Sequence, residues 1–381
     1  MRYLSPFVAN DLEKKMVFLA GPRQCGKTTL AEGLLKAHKK GGRFFNWDRE
    51  RDRKAILAEQ WTDQDNLLIF DEIHKFRKWK TWVKGVYDTE NKVHQILVTG
   101  SARLDVYRRG GDSLLGRYHL WRLHPFSLHE FPKSMSAEDA YSRLMVSGGF
   151  PEPFLGGDKR TGNRWRTSRI EAVLREDIRD LEAIQDLQSL SLLVELLRSR
   201  VGGPIVMSNL AADLQVAPLT VARWILALER MYVLFQVRPF TVNVARAIQK
   251  PPKIFFYDNG EVEGDEGARF ENLVATHLLK KIHFLSDYTG DRYELFYIRD
   301  KEKREVDFAI TRNRKLETLI ETKLSDKTPS SALYHFAERL KPKEAIQIVA
   351  NLDTSYSKGG LRVESVFESK WLRELSGGAA L

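Results

Sequence analysis

Cysteine is nearly absent from this sequence, and histidine forms no clusters. Cys25 is the one cysteine in 381 residues, so an intramolecular disulfide and a cysteine-rich zinc site are both excluded. The nine histidines lack the spacing that is typical of metal ligands. Structural roles are therefore the better interpretation for the histidines.

Long apolar runs are also missing. No stretch of the sequence approaches the roughly 18 apolar residues that a membrane-spanning helix needs. The N-terminal segment, MRYLSPFVANDLEKK, has no apolar core of the kind found in secretory signals. The sequence thus predicts a cytoplasmic protein that has no membrane partner.

Acidic residues are outnumbered by basic ones. The chain has 61 lysines and arginines against 51 aspartates and glutamates, which gives a formal net charge of +10. This excess permits a polyanionic partner such as DNA, but a solvated surface rich in arginine is equally compatible with it. The length, together with 43% hydrophobic residues, is sufficient for two or three packed domains.

A glycine-rich stretch near the N-terminus, VFLAGPRQCGKTTL, joins an apolar run to a helix-forming run. It matches the phosphate-loop pattern G-x-x-x-x-G-K-[ST]. Its glycines allow a tight turn, so that backbone N–H groups and a helix N-terminus converge on a phosphate. Lys27 can reach the β- and γ-phosphates, and the Thr28 hydroxyl can ligate Mg²⁺. We expect nucleotide contacts from the whole loop: Gly21, Pro22, Arg23, Gln24, Cys25, Gly26, Lys27, Thr28 and Thr29. A coincidental turn is the alternative.

A buried strand, NLLIFD, ends in Asp71-Glu72 about forty residues after this loop. Asp71 can hold Mg²⁺ directly or through water, and Glu72 can polarise an attacking water. An apolar run followed by Asp-Glu more often marks only the end of a strand. Its position after a phosphate loop favours the catalytic interpretation.

Five predicted strands alternate with helices in the N-terminal part of the chain. This order predicts an α/β fold with a doubly wound, mostly parallel sheet and the ligand at the carboxyl ends of the strands. Ser101 or Thr99 would then lie beside the acidic pair and sense the γ-phosphate. Arg117 would point outward and complete the site of a neighbouring subunit, which predicts a homo-oligomer. A surface arginine is the alternative for Arg117.

Several of these motifs together resemble the AAA-type P-loop ATPases of bacteria and archaea that carry a C-terminal domain of unknown function. The resemblance rests on GPRQCGKTTL, LLIFDEIHK, VTGSARL with LLGRYHL, HPFSLHEF and SGGFPEP. It implies that Lys27, Thr28, Asp71 and Glu72 have the Walker roles in ATP hydrolysis, with Ser101 as sensor and Arg117 as finger. A serine at the sensor position departs from the commoner asparagine.

Residues 1–155 are thus predicted as the ATPase core and 156–200 as a helical connector. Within the connector, Arg160, Arg164, Arg166 and Arg169 either contact phosphate or lie on a solvated helix start.

Residues 201–250 are predicted to form helix, turn, helix and strand, which is a winged-helix pattern that the resemblance also implies. If this element binds DNA, its second helix presents Thr220, Arg223 and Arg230. The apolar stripe on the same helix equally suits a module that only packs against neighbours.

Residues 251–381 carry acidic and basic residues in an order that resembles the restriction-endonuclease-like fold: Glu271 on a helix, then Asp307, then Glu321 and Lys323. Strand alternation places Glu321 and Lys323 on one face, next to Asp307 on the paired strand. Two carboxylates can hold Mg²⁺ at a scissile phosphate while the lysine stabilises developing charge, and Glu271 can add an outer ligand. A solvent-facing Glu-Lys pair is the alternative.

The sequence as a whole predicts an oligomeric ATPase that uses ATP and Mg²⁺ and acts on DNA, by ATP-driven translocation or remodelling, with cleavage by the C-terminal domain left open. The rival is a nucleotide-switched scaffold whose C-terminal domain only binds a partner.

Overall fold

The computed structural model describes residues 2–101, 114–178, 184, 186–241, 250–373 and 375. The chain divides into two units, unit 1 at Met1–Pro125 and unit 2 at Phe126–Leu381. Each unit is built on a β-sheet of its own.

Unit 1 contains a five-stranded sheet in which every neighbouring pair is parallel. Its strands are β1 Met16–Ala20, β2 Gly42–Asn46, β3 Leu67–Asp71, β4 Gln95–Thr99 and β5 Tyr118–Arg122, in the order β2-β3-β4-β1-β5. All residues of β1 and β3 are buried, which explains why both strands are continuous apolar runs in the sequence. The predicted parallel sheet is confirmed.

In the described part of unit 1 the strands are accompanied by the helices α1 Ser5–Leu12, α2 Lys27–Ala37, α3 Glu50–Leu57 and α4 Trp79–Glu90. A short 3-10 helix at Ile73–Lys75 follows β3. The core between helices and sheet includes an aromatic group in which Phe70 contacts Phe45, Trp61 and Trp82. This packing fixes the carboxyl end of β3, where the acidic pair lies.

Unit 2 contains a mixed sheet of eight strands. They are β6 Leu234–Pro239, β7 Lys253–Phe256, β8 Tyr293–Arg299, β9 Glu305–Arg312, β10 Lys315–Lys323, β11 Glu344–Val349, β12 Tyr356–Lys358 and β13 Leu361–Ser365, in the order β12-β13-β11-β10-β9-β8-β6-β7. β8, β9 and β10 are antiparallel neighbours, while β11 runs parallel to β10 and β6 parallel to β8.

The α-helices among the described residues of unit 2 are α5 Ala137–Ser147, α6 Pro151–Gly156, α7 Lys159–Ala172, α8 Leu187–Arg198, α9 Met207–Leu214, α10 Pro218–Arg230, α11 Glu266–Thr289, α12 Ser331–Leu340 and α13 Lys370–Arg373. A π-helical segment, Val173–Ile178, extends α7. The longest helix, α11, is capped by Asp265, which accepts a hydrogen bond from the backbone N–H of Ala268, and it ends at Gly290 with φ of +78°.

The segment predicted as a winged helix forms α9, α10 and β6. The second helix begins at Pro218, the position at which proline suits a helix start. β6 pairs with β7 on one side and with β8 on the other, so it belongs to the eight-stranded sheet. Residues 242–249 of the predicted module lie outside the described residues. The winged helix and the predicted domain boundaries stay predictions.

Within the described part of the chain, no single helix has the length and apolarity needed to cross a membrane. Taken together, α9 and α10 pass that test by length and composition, across a bend of 101°. Both helices direct apolar residues into the interior of unit 2, including Leu210, Val221 and Ile225.

Candidate functional site

The glycine-rich loop connects β1 to α2, as the phosphate-loop pattern predicts. A side chain at Gly21 would place its Cβ 2.3 Å from the carbonyl oxygen of Leu123, so only glycine fits there. Gln24 and Gly26 adopt φ of +60° and +94°, and these left-handed residues bring the chain around to the first turn of α2. The loop therefore ends at a helix N-terminus, where backbone N–H groups can bind an anion.

The ammonium of Lys27 lies inside this loop. Lys27 is buried, and its Nζ donates to the carbonyl oxygens of Gly21 at 3.1 Å and Pro22 at 2.6 Å. Cys25 is also buried, with Sγ 3.6 Å from the carbonyl oxygen of Leu123. The thiol thus packs the loop against the end of β5, and the lysine is held close to the position that a phosphate would take.

Asp71 is the centre of a row of polar side chains at the carboxyl ends of three adjacent strands. Parallel register places Asn46 of β2 and Thr99 of β4 on either side of it. Asp71 Oδ2 accepts from Asn46 Nδ2 at 3.0 Å and from Thr28 Oγ1 at 3.2 Å, while Thr99 Oγ1 donates to Oδ1. This row joins the acidic strand end to the first turn of α2.

Burial is the main influence on the Asp71 carboxyl, and it raises the pKa of Asp71 above its ordinary value. The neighbouring charge of Glu72 raises the pKa further, whereas the hydrogen bonds from Thr99 and Thr28 and the charge of Lys27 oppose the shift. A further positive charge at this point would therefore stabilise the Asp71 carboxylate.

Glu72 leaves the sheet in a left-handed conformation, with φ of +57°. Its Oε2 lies 3.4 Å from Lys75 Nζ and 3.6 Å from His74 Nε2. Lys75 also pairs with Asp48 at 2.6 Å. The structure therefore holds the predicted catalytic glutamate between two basic side chains.

Ser101, the predicted sensor, is buried beside this group. Its Oγ lies 3.5 Å from the same His74 Nε2 that faces Glu72. Ser101 is thereby connected to Glu72 through the imidazole of His74. Sequence reasoning did not identify His74, Lys75 or Asn46, although each follows or ends a strand at the edge where parallel strands deliver functional residues.

Arg117 precedes β5 and forms a two-point ion pair with Asp88 of α4. Its Nε lies 2.6 Å from Oδ1 and its Nη2 lies 3.1 Å from Oδ2. Both side chains are about one-third or more exposed, so the pair is at the surface of unit 1. The finger role of Arg117 stays a prediction.

Two of the four arginines predicted to contact phosphate or solvent are instead part of the interior of unit 2. Arg166 is buried and pairs with the fully buried Asp258 at 3.2 Å. Arg169 is buried with its guanidinium 4.1 Å from the centre of the Phe150 ring. Both sequence interpretations are wrong for this pair, while Arg160 and Arg164 are exposed.

The second helix of the helix-turn-helix, α10, separates an apolar face from a polar one. Its buried residues, Val221, Trp224, Ile225 and Leu228, form the core stripe that the sequence predicts. Among the candidate DNA contacts, Arg223 is exposed, whereas Thr220 and Arg230 are half-buried.

The C-terminal candidates come from three elements, with Glu271 on α11, Asp307 on β9, and Glu321 and Lys323 on β10. Lys323 Nζ lies 2.9 Å from Glu321 Oε1. Asp307 Oδ2 accepts from the backbone N–H of Thr322 at 2.8 Å and from its hydroxyl at 2.7 Å. Among the described residues, no group of three or more His, Cys, Asp or Glu side chains is arranged to hold a metal ion.

A lysine that sequence reasoning missed lies among these carboxylates. Lys253 of β7 has Nζ 2.7 Å from Glu305 Oε1, 3.0 Å from Glu271 Oε1 and 3.8 Å from Asp307 Oδ1. A single lysine in the apolar run KIFF was the one signal in the sequence that pointed to it.

Burial and the neighbouring charge of Asp307 raise the pKa of Glu271 to about 8, although Lys253 opposes this shift. The same two causes raise the pKa of Glu321 to about 7, against the opposing charge of Lys323. Burial alone would lower the pKa of Lys253, but Glu271, Asp307 and Glu305 outweigh it and the net shift is upward.

Comparisons with known proteins divide the chain into three matched regions. Residues 13–132 match a family described as an AAA domain, residues 138–262 a domain of unknown function (DUF8612), and residues 266–366 another domain of unknown function (DUF4143). The first match supports an ATPase function for unit 1.

Two mycobacterial proteins are similar over 249 residues at 26% identity: the uncharacterized proteins Rv2008c of Mycobacterium tuberculosis and Mb2031c of Mycobacterium bovis. The matched region is 64% of this chain, and the chain spans about half, 54%, of the length of each relative.

Among solved structures, the RuvB Holliday junction branch migration motor of Thermotoga maritima is similar at 18% identity with a TM-score of 0.32, over 65% of this chain and 92% of that one. Bacteroides Pif1 bound to single-stranded DNA is similar at 14% identity with a TM-score of 0.23, over 40% of this chain and 47% of that one. Both TM-scores are low, so the description of the fold rests on its own strand order. Unit 1 has a parallel P-loop sheet, which lies within the region that matches an AAA domain. Unit 2 has a mixed sheet, which lies within the regions that match two domains of unknown function.

Proposed function

We propose that this protein hydrolyses ATP at unit 1 and that hydrolysis drives an action on DNA. The observation that carries the ATPase part is the junction of Thr28 and Asp71, whose oxygens lie 3.2 Å apart next to a loop that holds Lys27. A strand-end carboxylate and a helix-start hydroxyl in contact are the arrangement that a P-loop ATPase requires.

The residues at this junction suit Mg²⁺. A hydroxyl and a carboxylate are hard oxygen donors, which this ion prefers. Burial raises the pKa of Asp71 because the carboxylate has lost hydration, and a bound cation would compensate for that loss. Thr28 and Asp71 would hold the ion, and bound Mg²⁺ supplies neutralising charge to the β- and γ-phosphates.

Other side chains of unit 1 have separate tasks in this proposal. Lys27 exchanges its two carbonyl partners for phosphate oxygens, which are stronger acceptors because they are charged. Glu72 orients the attacking water and accepts its proton. Ser101 influences Glu72 through His74, since the imidazole is in contact with both side chains.

The DNA part rests on charge and on exposed arginines. The net charge of +10 favours association with a polyanion. Arg223 on α10, together with Arg160 and Arg164 on α7, supplies exposed guanidinium groups within unit 2. These groups can contact backbone phosphates without reading the base sequence.

The ATPase proposal is tested with two variants and a control. Glu72→Gln should bind ATP and fail to turn it over, Lys27→Ala should lose nucleotide affinity, and Glu13→Gln, an exposed glutamate of unit 1, should behave as wild type. Nucleotide binding by isothermal titration and phosphate release separate the two defects. Wild-type turnover by Glu72→Gln would refute the assignment of Glu72.

The DNA proposal is tested by measuring ATP turnover with and without single- and double-stranded DNA. We expect stimulation by DNA, loss of that stimulation in Arg223→Ala, and DNA affinity that decreases steeply with salt. An active ATPase that neither binds DNA nor responds to it would favour a nucleotide-switched scaffold instead.

A further inference from the structure

We propose that the ammonium of Lys253 is the resident cation of the acidic cluster in unit 2, and that this cluster therefore takes no divalent metal and cuts no phosphodiester bond. The acidic cluster comprises Glu271, Glu305 and Asp307. Lys253 is 1% exposed, and a buried ammonium is stable only where carboxylates replace its lost hydration.

The cluster encloses this ammonium from several sides. Glu271 approaches from α11 at 3.0 Å, and Glu305 and Asp307 approach from β9 at 2.7 and 3.8 Å. The ring of Tyr297 on β8 lies 5.5 Å from Nζ and adds its negative face. Three carboxyl groups and one aromatic face thus surround the Lys253 ammonium.

The carboxylate oxygens that do not face Lys253 are also in use. Asp307 Oδ2 accepts two hydrogen bonds from Thr322, and Glu305 Oε2 lies 3.2 Å from Arg299 Nη1. A Cβ on Gly202 would come within 2.6 Å of Glu271 Oε2, so the chain packs closely against that oxygen as well. A metal at the cluster would have to displace Lys253, because its ligands would need to come within about 2.0–2.1 Å of Mg²⁺.

The neighbouring pair shows the same compensation. Glu321, which the nuclease interpretation treats as a ligand, is buried with Oε1 2.9 Å from Lys323 Nζ. Each predicted ligand thus already has a partner with positive charge. The position that a metal ion would take among these residues is thus occupied by an ammonium of the chain itself, and removing Lys253 should create a cation site.

The test is Mn²⁺ binding to the full-length chain without nucleotide, measured by the loss of the free Mn²⁺ signal in electron paramagnetic resonance. An Asp71→Asn background removes any contribution from unit 1. We expect Lys253→Met to bind one Mn²⁺ at least about tenfold more tightly than the background protein, and added Asp307→Asn to abolish this gain. The control Lys250→Met, an exposed lysine just before β7, should not change Mn²⁺ binding.

Two outcomes would overturn the proposal. One is Mn²⁺ binding, or metal-dependent cleavage of DNA, by the chain with Lys253 intact that disappears in Asp307→Asn. The other is a folded Lys253→Met protein, verified by circular dichroism, that gains no Mn²⁺ affinity. If Lys253→Met unfolds, the binding and cleavage measurements on the chain with Lys253 still decide. ATP turnover is not part of the readout, so the result is independent of the proposed ATPase.

Discussion

Replacing Arg166 with methionine should strongly destabilise unit 2. The Arg166 guanidinium donates to Asp258 Oδ2 at 3.2 Å, to Asn163 Oδ1 at 2.8 Å and to the carbonyl oxygen of Ser147 at 3.1 Å. The side chains of Arg166 and Asp258 are 8% and 0% exposed. Methionine fills part of the volume but supplies neither the charge nor the donors.

The magnitude follows from the partner that is left behind. Burial raises the pKa of Asp258 to about 6 even though Arg166 and Arg169 oppose the shift, so this carboxyl already lacks full compensation. Breaking a buried ion pair by removing one partner costs about 3–5 kcal/mol, because the remaining charge loses its directly paired counter-ion and gains no water. We expect a loss of that size at pH 7.

Urea denaturation followed by pulsed hydrogen exchange and mass spectrometry measures this loss in peptides of unit 2 alone. Arg164→Met on the same helix is the control and should change the free energy of unfolding by less than about 0.5 kcal/mol, since Arg164 is exposed. Adding Asp258→Asn to Arg166→Met should recover part of the loss in a double-mutant cycle. A cost below about 1 kcal/mol for Arg166→Met would refute the reasoning.

Three further predictions concern both units. Asn46→Ala removes a hydrogen-bond donor to Asp71 and should lower the maximal rate of ATP turnover by about one order of magnitude, with nearly unchanged nucleotide affinity. Steady-state kinetics and titration measure the two quantities, and an unchanged rate would contradict this prediction. If Arg117 completes a neighbouring site, Arg117→Ala should lower ATP turnover, whereas Asp88→Ala, which removes its ion-pair partner, should not. Mixing Lys27→Ala subunits with Arg117→Ala subunits should then restore activity. Equal effects of the two substitutions, with no rescue on mixing, would identify a surface ion pair. His277 accepts a hydrogen bond at Nε2 from the backbone N–H of Leu128, and burial lowers the pKa of His277 to about 3 from 6.5. As the pH falls below 6.5, His277 is protonated in the unfolded chain but stays neutral in the folded one, so unit 2 should lose up to about 1.4 kcal/mol of stability per pH unit. In urea denaturation, His277→Gln should flatten this pH dependence.

The sequence was sufficient to locate the functional elements whose residues are consecutive in the chain. The phosphate loop is one uninterrupted stretch, and the Asp71-Glu72 pair ends a strand whose burial is evident from its apolar run, so local sequence patterns locate both. Asn46 was missed even though its strand was predicted. Its role depends on β2 being the neighbour of β3, which no local pattern gives.

The errors in unit 2 have a similar physical origin. Arg166 and Arg169 follow a polar, glycine-containing stretch and so resemble surface arginines. Their partners, Asp258 and Phe150, lie in other elements. Lys253 could not be assigned for the same reason, because its carboxylates come from α11 and β9, and their convergence depends on the order of strands in the sheet. Long-range charge pairing is invisible to periodicity and composition.

The double pairing of β6 has a practical consequence for dissecting this protein. Val237 is paired with Lys253 on one side, and Arg238 is paired with Phe296 on the other. A C-terminal fragment that begins at residue 251 would keep β7 and β8 but lose the strand that joins them. Both would then present unsatisfied backbone groups, which are a template for aggregation. An expressed fragment should therefore begin at Phe126, where unit 2 starts, so that β6, the acidic cluster and the Arg166 partner of Asp258 are produced as one piece.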